Sequence, residues 1–392
     1  MKILICAHDA AITGGANRSL LMIIERLRKE YGVKEIEVIV PRRHGSFNDA
    51  LTEMGVKWYG YLYFGVTSGI RGDGKDWMRI LKVYGGYVLE SLLSVWLAFR
   101  FRNRHYDLVY TNTRGPILGA KLAGKLHLPH VIHVREFGAE KPLFGFWGYQ
   151  KMYEMSDRII LISQALYEEY GCHVPKDKLI AIPNGIDSPL GLPFHKHQDA
   201  ARFHLLLTGR LVPDKGHQDA ILAMKRLVDK GIKKIHLYIA GSLQANMYIG
   251  WYEEKLKKMV SDNGLQDYIT FCGEVSDMVQ LREKMDAELM CAIKETFGRV
   301  TVEGMRSGLV LIGSNTGGTV EIIEDGVTGL LYQQGNAEDL AEKIQMVYEN
   351  PKLRERLARA GYEYTQTHYT PDANVRSVYQ VMKEVMNSKE GL

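Results

Sequence analysis

Charged side chains in the second half of the sequence follow apolar segments that are typical of β-strands. Arg210 and Lys215 lie on a glycine-bounded loop directly after the segment 203–208. An arginine can bind two oxygens of one anion and a lysine adds a point charge, so this pair suits a diphosphate. The same spacing also fits a solvated basic loop. The pattern therefore predicts an anion site if further polar groups lie beside it.

Two carboxylates and a glycine pair follow later strands of the same half. Glu295 comes after the predicted strand 287–293 and Glu303 lies in the next helix, while Gly317 and Gly318 follow the strand 309–313. Carboxylates accept charge-assisted hydrogen bonds from hydroxyls, and backbone N–H groups at glycine turns suit anions. Because the carboxyl ends of parallel strands share one edge of a sheet, we expect these groups to meet at one ligand site.

A second glycine turn lies near the N-terminus. Gly14 and Gly15 separate the predicted strand 2–7 from an amphipathic helix over 18–30. The turn fits a wall of a ligand site at a helix N-terminus, and it fits a simple strand-to-helix connection equally well. No GxxxxGK[ST] run occurs in the sequence, which argues against an ATPase-type phosphate loop.

Strand and helix patterns alternate in both halves, which predicts an α/β protein with a parallel sheet in each half. The 392 residues exceed the size at which one hydrophobic core usually stops growing. The predicted domains are 1–187 and 188–371, with a linker within 186–200, and 372–392 is predicted as a helix that returns to the first domain. The further predicted strands are 37–41, 108–111, 130–134, 158–162, 235–240 and 269–272.

Composition excludes several classes of protein. The chain is 46% hydrophobic and 24% charged, with a net charge of +4 and four cysteines without a CxxC pair. A disulfide scaffold and a zinc knuckle are therefore not indicated, and the absence of a signal-peptide pattern favours the cytoplasm. His127, His130 and His133 lie close together, but a spacing of three in a strand places the last two on opposite faces, so no metal site is expected.

The segment 77–104 combines apolar and aromatic residues with the basic end Arg100-Phe101-Arg102-Asn103-Arg104. This composition suits a helix that lies at an anionic membrane surface, to which the aromatic run 144–149 would add. It also suits a buried helix whose basic C-terminal residues interact with the helix dipole. Both interpretations stay open at this point.

The densest motifs together resemble the retaining family-4 glycosyltransferases, which have the GT-B fold of two Rossmann-like domains facing each other across a cleft. The resemblance covers nearly the whole chain. The motifs that carry it are Gly209-Arg210 with Lys215-Gly216, Glu295 and Glu303 with Phe297-Gly298, Gly317-Gly318 with Glu321, Asp325-Gly326 with Gly329, Gly14-Gly15, His133, and Ile182-Pro183-Asn184-Gly185-Ile186-Asp187.

The resemblance implies roles for these residues. Arg210 and Lys215 would hold the donor diphosphate, Glu295 the hydroxyls of the donor sugar, and Glu303 the ribose. Phe297, Gly298, Gly317 and Gly318 would line the donor site, with Gly14 and Gly15 beside the phosphates and His133 near the transferred sugar. The family often has an acidic residue directly after this histidine, whereas Arg135 and Glu136 follow here one residue later.

The sequence is therefore interpreted as a retaining, metal-independent transferase of the hexosyl type, with domain 1–187 on the acceptor side and domain 188–371 binding the donor. A UDP-sugar is the expected donor, and a lipid-linked saccharide of surface polysaccharide assembly the expected acceptor. No cofactor, metal or nucleic-acid partner is expected, and the chain would work in the cytoplasm or at the inner face of the membrane. The alternatives are a nucleotide-sugar epimerase of similar fold and a non-catalytic two-lobed sugar-binding protein, with a glycoside hydrolase ranked below them.

Overall fold

The computed structural model describes residues 1–12, 14–65, 76–138, 148–188, 202–241 and 250–390. Its contacts divide the chain into two compact units. Unit 1 comprises Met1–Gly185 and Pro371–Leu392, and unit 2 comprises Ile186–Thr370. The predicted linker beyond Ser188 and the aromatic residues 144–147 lie outside the described residues.

Unit 1 is built on one parallel sheet. Its strands are β1 (Lys2–Cys6), β2 (Glu35–Val40), β3 (Lys57–Gly60), β4 (Leu108–Asn112), β5 (His130–Val134), β6 (Arg158–Leu161) and β7 (Leu179–Ala181). They pair in parallel in the order β3-β2-β1-β4-β5-β6-β7. The central strands are apolar on both faces and fully buried, as in Ile3-Leu4-Ile5-Cys6, because helices cover both sides of the sheet.

The helices of unit 1 connect these strands. They are α1 (Gly15–Lys29), α2 (Ser46–Glu53), α3 (Asp76–Phe101), α4 (Leu118–Leu126), α5 (Tyr149–Met155) and α6 (Gln164–Gly171). The helix α1 shows why the pattern folds this way: Leu20, Ile23, Ile24 and Leu27 recur at helical spacing and are buried against the sheet.

Unit 2 repeats the architecture with one strand fewer. Its strands are β8 (Phe203–Thr208), β9 (Ile235–Ala240), β10 (Ile269–Gly273), β11 (Ala287–Met290), β12 (Val310–Ser314) and β13 (Leu330–Tyr332). All pair in parallel, in the order β10-β9-β8-β11-β12-β13. Its helices are α7 (His217–Asp229), α8 (Gly250–Asp262), α9 (Met278–Arg282), α10 (Arg299–Arg306), α11 (Thr319–Ile322), α12 (Ala337–Glu349) and α13 (Pro351–Thr367).

The last helix, α14 (Pro371–Glu390), belongs to unit 1. Its apolar face buries side chains in the same core cluster as Leu20 and Ile23 of α1: Val375, Val378, Val381, Met382 and Val385. The chain therefore leaves unit 1, forms unit 2, and returns to complete the first core.

The prediction of an α/β protein with two Rossmann-like domains is confirmed. In each sheet the strand order reverses once, between β1 and β4 and between β8 and β11, which is the doubly wound pattern. The sequence reading missed the strands β3, β7 and β13, all of which lie at sheet edges. β7 and β13 have only three residues and β3 only four, so each is too short to show a periodic pattern, although β7 (Leu-Ile-Ala) and β13 (Leu-Leu-Tyr) are apolar.

The helix α3 is two-faced. Large apolar side chains on one stripe, at intervals of three or four residues, are exposed: Trp77, Leu81, Tyr84, Val88, Leu92, Val95 and Phe99. On the other side, Leu97 and Phe101 are buried in one core cluster with Leu118 and Leu122 of α4. Within the described residues, Trp77–Phe101 is the one helix long and apolar enough to cross a membrane, a criterion that helices of soluble proteins also meet. Only 28% of its most apolar stretch is buried.

Candidate active site

The carboxyl ends of β8 and β11 form the centre of the candidate site in unit 2. The two strands are neighbours, with Leu205 opposite Ala287, and they flank the point at which the strand order reverses. At such a point the connecting helices lie on opposite faces of the sheet, and the loops diverge to leave a crevice. Ligands of open parallel sheets bind there.

The loop after β8 is held against the loop after β11 by backbone contacts. Gly216 has φ +67, and a Cβ there would lie 1.8 Å from the carbonyl oxygen of Cys291, so only glycine fits. The amide of Ile293 donates to the carbonyl of Asp214 at 2.9 Å. These contacts fix the position of Lys215, which lies between Asp214 and Gly216 in a 3₁₀ turn.

Lys215 and Glu295 meet across the two loops. The Lys215 Nζ lies 2.7 Å from the Glu295 Oε2, and the two side chains are 24% and 12% exposed. Arg210 is exposed on the same loop as Lys215 and makes no side-chain hydrogen bond or ion pair within the part of the chain that the structure describes. The arrangement presents two cations and a carboxylate at the end of one strand pair.

A buried histidine behind this loop carries no charge. His217 begins α7 and is fully buried, with its ring edge-on to Tyr252 at a centroid distance of 6.1 Å. Burial, together with the charge of Lys215, lowers the pKa of His217 to about 4. His217 therefore adds no positive charge to this loop at neutral pH.

The glycine pair after β12 packs on the backbone of the Glu295 loop. Gly317 has φ +55, and a Cβ there would lie 2.2 Å from the Glu295 carbonyl oxygen. The Gly318 N–H donates to that same oxygen at 2.8 Å, and a Cβ at Gly318 would lie 2.6 Å from the Phe297 carbonyl oxygen. These glycines therefore position the loop that carries Glu295, and the Gly318 N–H is occupied by it.

Phe297 and Gly298 connect this loop to α10. Phe297 is 3% exposed and packs edge-on against Tyr369, with ring centroids 5.5 Å apart. Gly298 has φ +102 and forms the N-cap of α10. Their location indicates a packing and turning role beside the site.

Glu303 lies one turn into α10 and contacts two arginines. Its Oε2 accepts from the Arg282 Nη2 at 3.3 Å and its Oε1 accepts from the Arg299 Nη2 at 3.4 Å. Arg282 also binds Glu288, a fully buried carboxylate on β11. Arg282 and Glu288 were not predicted from the sequence. A glutamate within the otherwise apolar strand Ala-Glu-Leu-Met could have indicated a buried ion pair.

In unit 1 the glycine turn after β1 is open. Gly14 caps α1 with φ −151, and a Cβ added there meets nothing within 4 Å among the described residues. Packing therefore does not require glycine at this position, which leaves room for a ligand close to the backbone. Gly15 is the first residue of α1, and Thr13 lies outside the described residues.

His133 lies near the end of β5 and is fully buried. Its Nδ1 hydrogen-bonds to the Tyr110 hydroxyl and lies 3.4 Å from the Arg135 Nη2, while its Nε2 has no hydrogen-bond partner among the described residues. Burial and the Arg135 charge hold the pKa of His133 well below its usual range. The ring is therefore neutral at physiological pH.

Arg135 and Glu136 follow Val134, which occupies the position directly after His133 where the family often has an acidic residue. The Arg135 guanidinium donates to the Asn112 Oδ1 at 2.9 Å and also to the Asn184 side chain, which ties the ends of β4 and β5 to the Asn184-Gly185 turn. The Glu136 Oε1 accepts from the Arg114 amide at 2.8 Å. The carboxylate is thus used to shape the loop after β4.

The described ranges contain no cluster of three or more histidine, cysteine or acidic side chains arranged to hold a metal ion. His130 and His133 point to opposite faces of β5, because His130 bonds to Thr111 and Ser156 whereas His133 bonds to Tyr110. Thr111 and Tyr110 are successive residues of β4, so they face opposite sides of the sheet.

Two family models match the chain. The family described as Glycosyltransferase Family 4 matches residues 13–188, and the family described as Glycosyl transferases group 1 matches residues 194–364. An uncharacterized glycosyltransferase of Methanocaldococcus jannaschii is 27% identical over 287 residues, which cover 71% of this chain and 76% of that protein. The capsular polysaccharide biosynthesis glycosyltransferase CapM of Staphylococcus aureus is 24% identical over 247 residues, which cover 59% of this chain and 63% of that protein.

Solved structures of similar fold extend over the whole chain. The structure of Anabaena HepE in complex with UDP has a TM-score of 0.78 at 19% identity and covers 98% of this chain and 100% of that one. A sucrose-phosphate synthase from Thermosynechococcus elongatus has a TM-score of 0.74 at 17% identity, with 99% and 100% coverage. Since one family model matches nearly all of the first half and the other most of the second, the chain belongs to the family-4, group 1 glycosyltransferases of the GT-B fold.

Proposed function

We propose that this glycosyltransferase moves a hexosyl group from a UDP-sugar to an acceptor hydroxyl with retention of anomeric configuration and without a metal ion. The observation that carries the proposal is the contact of Lys215 with Glu295 at the β8–β11 reversal, with Arg210 exposed on the same loop as Lys215. Unit 2 would bind the donor and unit 1 the acceptor. The UDP bound to the similar HepE structure supports the choice of nucleotide.

The chemistry follows from the charges. When the bond to the sugar breaks, negative charge grows on the leaving diphosphate, and preorganised cations at that position stabilise the transition state. Arg210 and Lys215 would supply this stabilisation, so a metal ion is not needed. Glu295, held by Lys215, would accept hydrogen bonds from hydroxyls of the donor sugar. Glu303 would bind the ribose, Gly14 and Gly15 would lie beside the phosphates, and His133 would lie near the transferred sugar.

A nucleotide panel tests the donor site. In a thermal-shift assay with UDP, GDP, ADP, CMP and their sugar conjugates, UDP and its sugars should raise the melting temperature of the wild type by several degrees at saturation. Lys215→Ala should lose this shift because the diphosphate loses a cation. Lys225→Ala, which removes a partly exposed lysine paired with Asp229 on α7, should retain it. The absence of a shift with every nucleotide would overturn the proposal.

Activity assays test metal independence, retention of configuration and the need for an acceptor. Transfer should continue in EDTA, and a loss that manganese restores would contradict metal independence. Nuclear magnetic resonance of the product should show the anomeric configuration of the donor. Release of a free or isomerised sugar without any acceptor would instead favour the epimerase alternative.

The exposed stripe of α3 supports a lipid-linked saccharide as the acceptor, reached at the inner face of the cell membrane. Beyond the apolar stripe, the helix end carries cations stacked on its aromatic rings: the Arg100 guanidinium lies 5.4 Å from the Trp96 centroid and that of Arg102 lies 4.3 Å from the Phe99 centroid. Apolar side chains with cations at one end suit the interface of an anionic bilayer, where each nearby cation contributes about 1 kcal/mol.

Flotation on anionic vesicles tests this surface. The wild type should float with the vesicles, and the triple variant Leu81→Ser, Leu92→Ser and Phe99→Ser should bind at least about tenfold more weakly because it buries less apolar area. The control variant Leu222→Ser with Met346→Ser removes two exposed apolar residues of unit 2 and should float like the wild type. A wild type that stays at the bottom of the gradient would rule out this membrane contact.

A further inference from the structure

A buried ionic group lies under the candidate nucleotide site of unit 2. Arg282 is the last residue of α9 and is 2% exposed. Its Nε donates to the Glu288 Oε2 at 2.9 Å and its Nη2 to the Glu288 Oε1 at 3.3 Å. This bidentate geometry fixes the plane of the guanidinium, because both parallel N–H groups are engaged.

The same guanidinium reaches a third side chain. The Arg282 Nη2 donates to the Glu303 Oε2 at 3.3 Å. Glu288 is fully buried and Arg282 nearly so, whereas the Glu303 side chain is 19% exposed. Glu303 is therefore the member of this trio that a ligand can touch. Its Oε2 is held by the buried Arg282, and its Oε1 by the more exposed Arg299.

Stability alone does not explain the buried pair. Removing two charges from water costs several kcal/mol each, and replacing such a pair by packed apolar residues is often neutral or stabilising. The neighbours of Glu288 on β11 are Ala287, Leu289 and Met290, so an apolar side chain would suit the strand. The fold nevertheless accommodates the carboxylate closely: a Cβ at Gly304, next to Glu303, would lie 2.5 Å from the Glu288 Oε2.

We propose that Arg282, held by Glu288, is a positioning residue for nucleotide recognition: it fixes the Glu303 carboxylate in the orientation that accepts hydrogen bonds from the vicinal hydroxyls of a ribose. The inference rests on the proposed function, in which Glu303 binds the ribose of the donor. A carboxylate already held in place loses no side-chain freedom when the ligand binds, so its hydrogen bonds contribute more to affinity. Arg282 thereby determines how strongly the site prefers ribose to deoxyribose.

The experiment compares the dissociation constants of UDP and 2′-deoxy-UDP by calorimetry. The wild type should prefer UDP by about tenfold or more, as expected for a hydrogen bond to a charged group. In the double variant Arg282→Met with Glu288→Met, which keeps the buried volume but removes both charges, the preference should fall to about threefold or less. Arg226→Met removes an arginine that pairs with Glu338 on the surface of unit 2, and should keep the wild-type preference.

Two further variants distinguish a failure of the positioning role from a failure of the ribose contact. Arg282→Lys keeps a charge beside Glu288 but lacks the planar fork, so it too should lose the preference even if the double variant does not fold. Glu303→Gln tests the ribose contact itself. If Glu303→Gln loses the preference and both folded Arg282 variants keep it, the positioning role is wrong and the donor site stands. If Glu303→Gln discriminates like the wild type, the ribose contact is wrong and the positioning role falls with it.

Discussion

At the scale of single residues, Glu295 is the point at which three loops of unit 2 meet. Its side chain binds Lys215 from the loop after β8, and its carbonyl oxygen accepts from Gly318 in the loop after β12. A partly exposed ion pair contributes only about 0–1 kcal/mol to stability. In the proposed function, this pair is a prearranged charge distribution that meets the donor.

Gly317 packs so closely on the Glu295 loop that it has no room for a side chain. Gly317→Ala should destabilise unit 2 by about 1–3 kcal/mol and weaken UDP binding, since a Cβ at φ +55 would lie 2.2 Å from the Glu295 carbonyl oxygen and displace the loop. Gly14→Ala is the matched control for stability, because its φ of −151 suits any residue and a Cβ there meets nothing within 4 Å. Differential scanning calorimetry measures both variants. Equal melting temperatures for the two would show that the loop tolerates the methyl group.

At the scale of elements, α3 has an exposed apolar face and, on its opposite face, a buried acidic residue. Glu90 is fully buried, and its Oε2 accepts from the Leu118 amide at 2.7 Å, at the first residue of α4. Burial raises the pKa of Glu90 to about 8, against the opposing effects of the amides at the start of α4 and of Lys121. The carboxyl is thus mainly protonated at neutral pH and ties α3 to α4.

This residue gives a pH-dependence prediction. The folded protein holds the Glu90 proton more tightly than the unfolded chain, whose pKa is near 4.5. The stability contributed by Glu90 is therefore fully present below pH 4.5 and is lost as the pH rises through 8. Glu90→Gln keeps the acceptor for Leu118 but cannot ionise, so it should be more stable than the wild type at pH 9 by on the order of a few kcal/mol.

Thermal unfolding from pH 5 to 9 checks this expectation. The difference in melting temperature between Glu90→Gln and the wild type should grow with pH. Glu154→Gln, an exposed carboxylate on α5 in the same unit, should follow the wild-type curve closely. A difference that stays constant over this range would mean that Glu90 is ionised in the folded protein.

At the scale of the whole molecule, unit 1 is formed by two segments that are far apart in the sequence, with the whole of unit 2 between them. The first core is completed by residues that follow the whole of unit 2, since α14 packs in unit 1. Unit 1 is therefore not finished when its first 185 residues have formed. Changes at the C-terminus are expected to affect the stability of the N-terminal sheet.

Met382 makes this testable. It is fully buried on α14, and Met382→Ala should destabilise unit 1 by about 2–5 kcal/mol, through lost apolar contact and the cavity left behind. Lys383→Ala, on the exposed face of the same helix, should have little effect. Hydrogen exchange followed by mass spectrometry should show faster exchange in β1 and α1 for Met382→Ala. Faster exchange confined to unit 2 would contradict the assignment of α14 to the first core.

The sequence by itself determined the architecture and the edge of the sheet on which the site would lie. Strand and helix patterns predicted the parallel alternation, and in a parallel sheet every loop after a strand emerges on the same edge, where Lys215 and Glu295 meet. The edge strands β3, β7 and β13 were not predicted because segments of three or four residues are too short to show a periodic pattern.

Only the tertiary structure decided which distant side chains touch. The contact of Arg282 with Glu288 and Glu303, the direction in which Glu90 faces, and the packing of Gly317 on Glu295 all depend on how separate segments approach one another. Spacing along the chain carries periodicity within one element, and it contains no information on the angle and distance between two elements. Those follow from the packing of the whole core, and this is why the residues that position the site emerged only from the folded molecule.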